Sequence, residues 1–281
     1  MVPPVVSASW LTDHPDAVVA DVRYYFDGRS GRDAYVHGHL PGAAFIDLAA
    51  DLAGPSDPRM GRFPLPTPQV FAEAMRRAGI SNDSTVVAYD DAGGMFAARL
   101  VWMLRMIGVD AAVLDGGIEA YDGPLQSGVL EGVQPGDFSI RPWQPADLAT
   151  IDDAAQQDLV LDARPTTAYT GEDDPDARSG HIPGAVSAPA SQNLASGRFR
   201  APQELAERFE KLGVDDASRV VSYCGGGISA CHNLVAMEYA GLGRGRLYPG
   251  SWSQYVNTER PVATGAEPGE RPRPLTPNDP S

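Results

Sequence analysis

The chain of 281 residues repeats itself, and that constrains its fold more than any other feature. Ala20-Asp21-Val22-Arg23 returns as Leu161-Asp162-Ala163-Arg164, and Gly38-His39-Leu40-Pro41-Gly42-Ala43 returns as Gly180-His181-Ile182-Pro183-Gly184-Ala185. Pro68-Gln69, Ala72-Glu73 and Gly79 reappear as Pro202-Gln203, Ala206-Glu207 and Gly213. Val86-Val87-Ala88-Tyr89 reappears as Val220-Val221-Ser222-Tyr223. The order is kept and only the loops differ in length, so the chain reads as two copies of one domain.

Each copy alternates short apolar runs with amphipathic segments. In the first copy the pattern predicts strands over 17–21 and 85–89 and helices over 68–77 and 95–107. Continuous apolar strands covered by helices on both faces give an α/β fold with a mostly parallel sheet in each copy. The first domain spans 1–123. Residues 124–148, with Gly123-Pro124, Pro135-Gly136 and Pro142 in and beside them, read as a linker, and the second domain spans 149–262. The Pro-rich polar stretch 263–281 is expected to be a disordered tail.

The chemistry concentrates in Val220-Val221-Ser222-Tyr223-Cys224-Gly225-Gly226-Gly227-Ile228-Ser229: a buried strand, a cysteine, a glycine-rich loop and a serine placed to cap a helix over 230–240. Ligands of parallel sheets gather where Cys224 lies, at the C-terminal ends of the strands. Three glycines let the backbone curl around an anion with its N–H groups inward. A helix N-terminus adds the same preference, so the site favours thiolate over thiol. In the first copy Asp90 stands where Cys224 stands, followed by Asp91-Ala92-Gly93-Gly94. A carboxylate is no sulfur nucleophile, so only the second copy carries the chemistry. The charge at Asp90 suggests that this position is open to solvent.

Composition narrows the remaining classes. With 43% apolar and 21% charged residues the chain is a soluble globular type, and no apolar run approaches the ~20 residues of a membrane span. Two cysteines make no disulfide framework and the N-terminus carries no signal-peptide pattern, which predicts a cytoplasmic protein. The net charge of −15 is spread over both halves and argues against nucleic-acid or anionic-membrane partners.

These motifs resemble those of the two-domain rhodanese-type sulfurtransferases over nearly the whole length up to the tail. The resemblance rests on the paired Gly-His-(Leu/Ile)-Pro-Gly-Ala segments and on Tyr223 to Ser229, with support from Leu114-Asp115-Gly116-Gly117 and Pro249-Gly250-Ser251-Trp252-Ser253. It implies two tandem rhodanese-like domains, the first inactive, and transfer of a sulfane sulfur through a Cys224 persulfide with no metal or cofactor. The donor would be a small anion, thiosulfate or 3-mercaptopyruvate, and the acceptor cyanide or a thiol, a protein thiol included. Substrate contacts would come from the N–H groups of Gly225, Gly226, Gly227, Ile228 and Ser229. A loop without basic residues is the 3-mercaptopyruvate type, although Gly226 replaces a hydroxyl residue. The family's donor-binding arginine corresponds to Ala168, which leaves Arg178 as the nearest substitute cation and Arg23 as a remote one.

Other residues fit structural roles. Cys231 reads as a small residue packed under the loop rather than a resolving thiol. His39 and His181 occur in both copies, which argues for structure over acid–base work, and Asp21–Arg23 and Asp162–Arg164 read as buried pairs. Ser251 and Trp252 either line the cleft or pack beneath it. Arg99 and Arg105 mark a solvated edge or contacts between the domains. A phosphatase of related architecture needs Cys-x5-Arg, and that arginine position is Ala230. A persulfide carrier loaded by a partner protein is the non-enzymatic alternative.

Overall fold

A computed structural model describes residues 1–173 and 176–271. Eleven strands run β1 (Val5–Val6), β2 (Val18–Asp21), β3 (Ala44–Phe45), β4 (Thr85–Tyr89), β5 (Asp110–Leu114), β6 (Leu159–Asp162), β7 (Val186–Ser187), β8 (Leu194–Ala195), β9 (Arg198–Phe199), β10 (Val220–Tyr223) and β11 (Arg246–Leu247) among the described residues. The α-helices are α1 (Ala8–Asp13), α2 (Gly31–His37), α3 (Leu48–Asp51), α4 (Pro68–Arg77), α5 (Ala97–Met106), α6 (Ile151–Gln156), α7 (Thr166–Thr170), α8 (Pro202–Lys211), α9 (Ser229–Tyr239) and α10 (Ser251–Tyr255). The first domain's sheet has the order β1-β5-β4-β2-β3 and the second's β11-β10-β6-β7, every pair parallel. The β8–β9 pair is a separate antiparallel ribbon.

The repeat holds down to single hydrogen bonds. Arg23 and Arg164 each fork onto the aspartate two residues before them and reach the carbonyls of Gly38 and Gly180 at 2.6 Å. Tyr35 and Tyr169 donate to the carbonyls of Ala43 and Ala185, and each stacks on the histidine of its own copy. His39 and His181 each turn Nδ1 to the carbonyl of that tyrosine. Such contacts fix one turn in one geometry, as the shared histidines predicted.

The predicted helix over 68–77 and the strand over 85–89 are found with those bounds, and the helix predicted over 95–107 is the shorter α5. Thr67 caps α4 through Val70 N–H, and Phe71, Ala72, Ala74 and Met75 form its buried face. All ten residues of α5 are buried, and so are Ala230 to Met237 of α9. A helix apolar on every side needs partners on every side. Here each lies on its own sheet and against the other helix, which seals the domains together. Arg105 Nη2 meets Glu238 Oε1 at 2.6 Å across that seam, so Arg105 is an interdomain contact and not a solvated edge.

The linker segment packs along its course. Gln126 exchanges two backbone bonds with His39, Phe138 is buried against Phe71, and Leu148 bridges to Leu247. The tail expected to be disordered is ordered over 263–271. Ala263 exchanges backbone bonds with His181, Pro268 accepts from Gly184 N–H, and Arg271 reaches the carbonyls of Asp158 and Gly184. These bonds use backbone groups, so a Pro-rich polar composition gave no sign of them. The rest of that tail, 272–281, lies outside the described residues. No helix among the described residues is long and apolar enough to cross a membrane.

Candidate active site

Strand β10 is buried throughout and delivers Cys224 to the C-terminal edge of its sheet, where the residue keeps 2% of its surface exposed. Its N–H donates to Ser251 Oγ at 3.2 Å, its carbonyl accepts from Trp252 N–H at 2.9 Å, and the Gly225 carbonyl accepts from Ser253 N–H at 2.9 Å. Ser251 has φ +52, a left-handed conformation that costs a non-glycine residue about 1 kcal/mol or more. Its hydroxyl donates to the Tyr248 carbonyl at 2.9 Å while accepting from Cys224. Ser251 and Trp252 are therefore the foundation of the loop. Trp252 is fully buried, with the Arg164 guanidinium 4.5 Å from its ring centroid.

The three glycines answer three different demands. Gly227 has φ +80, and a Cβ there would lie 2.8 Å from the Pro249 carbonyl oxygen. A Cβ on Gly226 would lie 2.9 Å from Cδ2 of Phe63, a first-domain residue. Gly225 has open space around it. The resulting curl turns Gly227 N–H onto Cys224 Sγ at 3.1 Å. The N–H groups of Gly225, Gly226, Ile228 and Ser229 have no acceptor among the described residues. Ser229 is the first residue of α9 rather than its cap. Ile228 is at the cap position and no side chain caps the helix, so the N–H groups of Ile228 and Ser229 stay free among the described residues.

The first domain shows what this cradle holds. Asp90 is fully buried and not open to solvent, which corrects the expectation from its charge. One carboxylate oxygen accepts from Ala92 and Gly94 N–H, each at 2.8 Å, and the other from Phe96 N–H at 2.7 Å and Ala97 N–H at 2.9 Å. Burial pushes its carboxyl up, and the four N–H donors oppose that. A strand end and helix start of the same design thus already hold a carboxyl side chain on four N–H donors, with no cation contacting it among the described residues.

The first domain also braces the second domain's loop. Arg99, fully buried on α5, donates to the Gly227 carbonyl at 2.9 Å and to the carbonyls of Leu52 and Phe63 at 3.3 and 3.2 Å. It is an interdomain contact, like Arg105. In the reverse direction His232 on α9 meets the Gly93 carbonyl through Nε2 at 3.1 Å. Burial pulls its imidazole down to about 4. Cys231 donates to the same Gly227 carbonyl at 3.3 Å, and burial pushes its thiol up to about 12. It packs under the loop, without the exposed thiolate character of a redox partner.

Above Cys224 a cavity of about 620 Å³ opens between the domains. Its walls include Phe26, Arg62, Phe63 and Met95 from the first domain and Arg164, Ala168, Cys224, Gly225, Gly226, Ile228 and Ser229 from the second. Arg178 is not among the described lining residues. Its guanidinium is spent on the carbonyls of Thr258 and Arg260 at 2.6 and 2.8 Å, which removes it as the donor's cation. Arg23 is locked to Asp21 inside the first domain. The guanidinium groups that do line the cavity are Arg62, paired with Asp176 at 2.5 Å, and Arg164, paired with Asp162 at 2.7 Å. Arg62 comes from a loop more than a hundred residues upstream, so no local pattern connects it to Cys224. Its neighbour Gly61 and the Pro-rich run after Phe63 mark only a turn. Among the described residues no three His, Cys, Asp or Glu side chains converge as a metal site requires.

Comparison with known proteins places this geometry. The family described as Rhodanese-like domain matches residues 7–123 and again 144–258. A Pseudomonas aeruginosa protein named "Probable 3-mercaptopyruvate sulfurtransferase" is 42% identical over 89% of this chain and 93% of its own length. The thiosulfate sulfurtransferase of Gallus gallus is 31% identical over 92% of this chain and 93% of its own. The crystal structure of the Escherichia coli 3-mercaptopyruvate sulfotransferase superposes with a TM-score of 0.77 at 31% identity, covering 89% of this chain and 99% of that one.

Proposed function

The chain belongs to the rhodanese family, and from that premise we propose that it is a sulfurtransferase working through Cys224. It moves a sulfane sulfur from thiosulfate or 3-mercaptopyruvate to a thiophilic acceptor. The observation that carries this reading is the position of Cys224 Sγ at the focus of the loop, with Gly227 N–H on it and four neighbouring N–H groups unspent. The buried Asp90 carboxylate, held by four N–H groups at the matching place, supports an anion there.

The Cys224 thiolate attacks the donor's outer sulfur. The donor's bond to that sulfur breaks, and its electron pair leaves on sulfite or on the pyruvate enolate. The new persulfide keeps a terminal anionic sulfur, which the loop N–H groups hold. The acceptor then attacks the outer sulfur and the electron pair of the Sγ–S bond returns to Cys224, a ping-pong course. Every bond change runs through Cys224 itself. The donor's charged end is met by the loop N–H groups and by Arg62, whose side chain is 41% exposed on the cavity wall. The relatives, named as enzymes, favour turnover over a carrier role. Two free cysteines, one of them the nucleophile, suit a reducing compartment such as the cytoplasm.

The test is Cys224→Ser. Thiocyanate formation from either donor and cyanide should vanish while thermal unfolding stays that of the parent. Turnover at the parent rate would remove Cys224 from the reaction.

A further inference from the structure

The donors that the relatives' names specify are small anions, and they leave most of the cavity unexplained. A volume of about 620 Å³ falls in the range of pockets for drug-sized ligands, roughly 300–1,000 Å³. The first domain's share of the wall is apolar apart from Arg62, with Phe26, Phe63 and Met95. Ala163, Pro165, Ala168 and Ala190 continue it on the second, beside the polar Arg164, Thr167, Asp173, Asp176 and Ser191. Phe26 and Phe63 belong to an aromatic cluster with Tyr24 and Phe96, at centroid separations of 5.4 to 6.3 Å and mostly edge to face. Phe26 is 68% exposed. An exposed phenylalanine alone says little. One that borders the nucleophile's cavity and is braced by three other rings is a preformed wall.

Charge argues in the same direction. Both cavity-lining guanidinium groups have a carboxylate partner, and Asp173 and Asp176 line the same cavity. Among the described residues two arginines and two aspartates balance in the lining, so the pull on an anion comes from the loop N–H groups and Arg62, which the donor uses, and the rest of the cavity is left to an uncharged group.

We propose that the sulfur acceptor is an uncharged thiol with an aromatic ring, seated against Phe26 and Phe63 with its sulfur toward the Cys224 persulfide. The acceptor thiolate attacks the outer sulfur, a new S–S bond forms, and the Sγ–S bond breaks with its electron pair returning to Cys224. The acceptor leaves as its own persulfide, and no outside oxidant or reductant is needed. This inference rests on the sulfur-transfer reading above.

The experiment loads Cys224 with 3-mercaptopyruvate or thiosulfate, removes the donor, and follows loss of the added sulfur by mass in a single turnover. Phenylmethanethiol is compared with 2-mercaptoethanol, two thiols of similar basicity and hence similar intrinsic reactivity. Phenylmethanethiol should discharge the persulfide about tenfold faster or more, the discrimination an apolar pocket gives to even one methylene-sized group. Phe26→Ala should bring that ratio toward one, and Phe26→Tyr should restore it. Equal rate constants in the parent protein, or a ratio untouched by Phe26→Ala, would overturn the inference and leave sulfur transfer standing. A protein that never gains sulfur would overturn both.

Discussion

Asp90→Asn isolates the physics on which the cradle depends. The side chain keeps its size and one oxygen, but the other oxygen becomes an NH2 group. Two of the four N–H bonds, either those at 2.8 and 2.8 Å or those at 2.7 and 2.9 Å, are then replaced by donor facing donor. Hydrogen bonds to a charged group contribute about 1.5–3 kcal/mol each, so about 3–6 kcal/mol is lost. Removing a charge from a fully buried position returns part of that. The net cost should be about 2–4 kcal/mol, a fall in Tm of roughly 3–8 °C at this chain length. The change also loosens the start of α5, which carries Arg99 to the Gly227 carbonyl, so sulfur transfer should slow as well. Differential scanning calorimetry with a thiocyanate assay reads both effects. An unchanged Tm would mean that the N–H groups are not organised around a negative charge, and the parallel argument for Cys224 would fail with it.

Three further outcomes follow from other parts of the site. Gly227→Ala should lower Tm and cut transfer, because φ +80 and the Pro249 carbonyl 2.8 Å from the new Cβ both oppose it, whereas Gly225→Ala, with open space, should leave Tm unchanged; equal effects would refute this division. His232 is neutral in the fold, with a value near 4 against an ordinary 6.5. The unfolded chain takes up that proton first, so the contribution is fully present above pH 6.5 and lost as pH falls toward 4, about 3 kcal/mol in all. Asp90 titrates in the opposite sense, so urea unfolding of parent and His232→Gln is compared across that window, and curves of identical pH slope would contradict the assignment. Arg62→Gln should raise the donor's KM about fivefold, as expected of a half-exposed ion contact worth about 1 kcal/mol, with kcat little changed; an unchanged KM would remove Arg62 from donor binding.

The sequence carried the duplication, the parallel α/β class and the position of Cys224, because strand periodicity and glycine loops are local signals. Asp90 was recognised as the counterpart of Cys224, but its burial was not, because charge alone does not reveal four backbone donors. Arg178 and Arg62 illustrate the harder limit. Both are polar loop residues in sequence, and only the tertiary fold sends one to the carbonyls of Thr258 and Arg260 and the other to the cavity wall. Phe26 and Phe63 lie in separate loops of the first domain, and no pattern within either loop shows that they face Cys224 of the second. The ordered stretch over 263–271 is held mainly through main-chain bonds, to which composition is blind.

The most direct measurement is the intact mass of the protein after incubation with each donor, followed by peptide mapping and then by cyanide. The account predicts one added sulfur atom, located on Cys224 and not on Cys231, and its complete removal by cyanide with release of thiocyanate. A sulfur found on Cys231, or none gained from either donor, would contradict it.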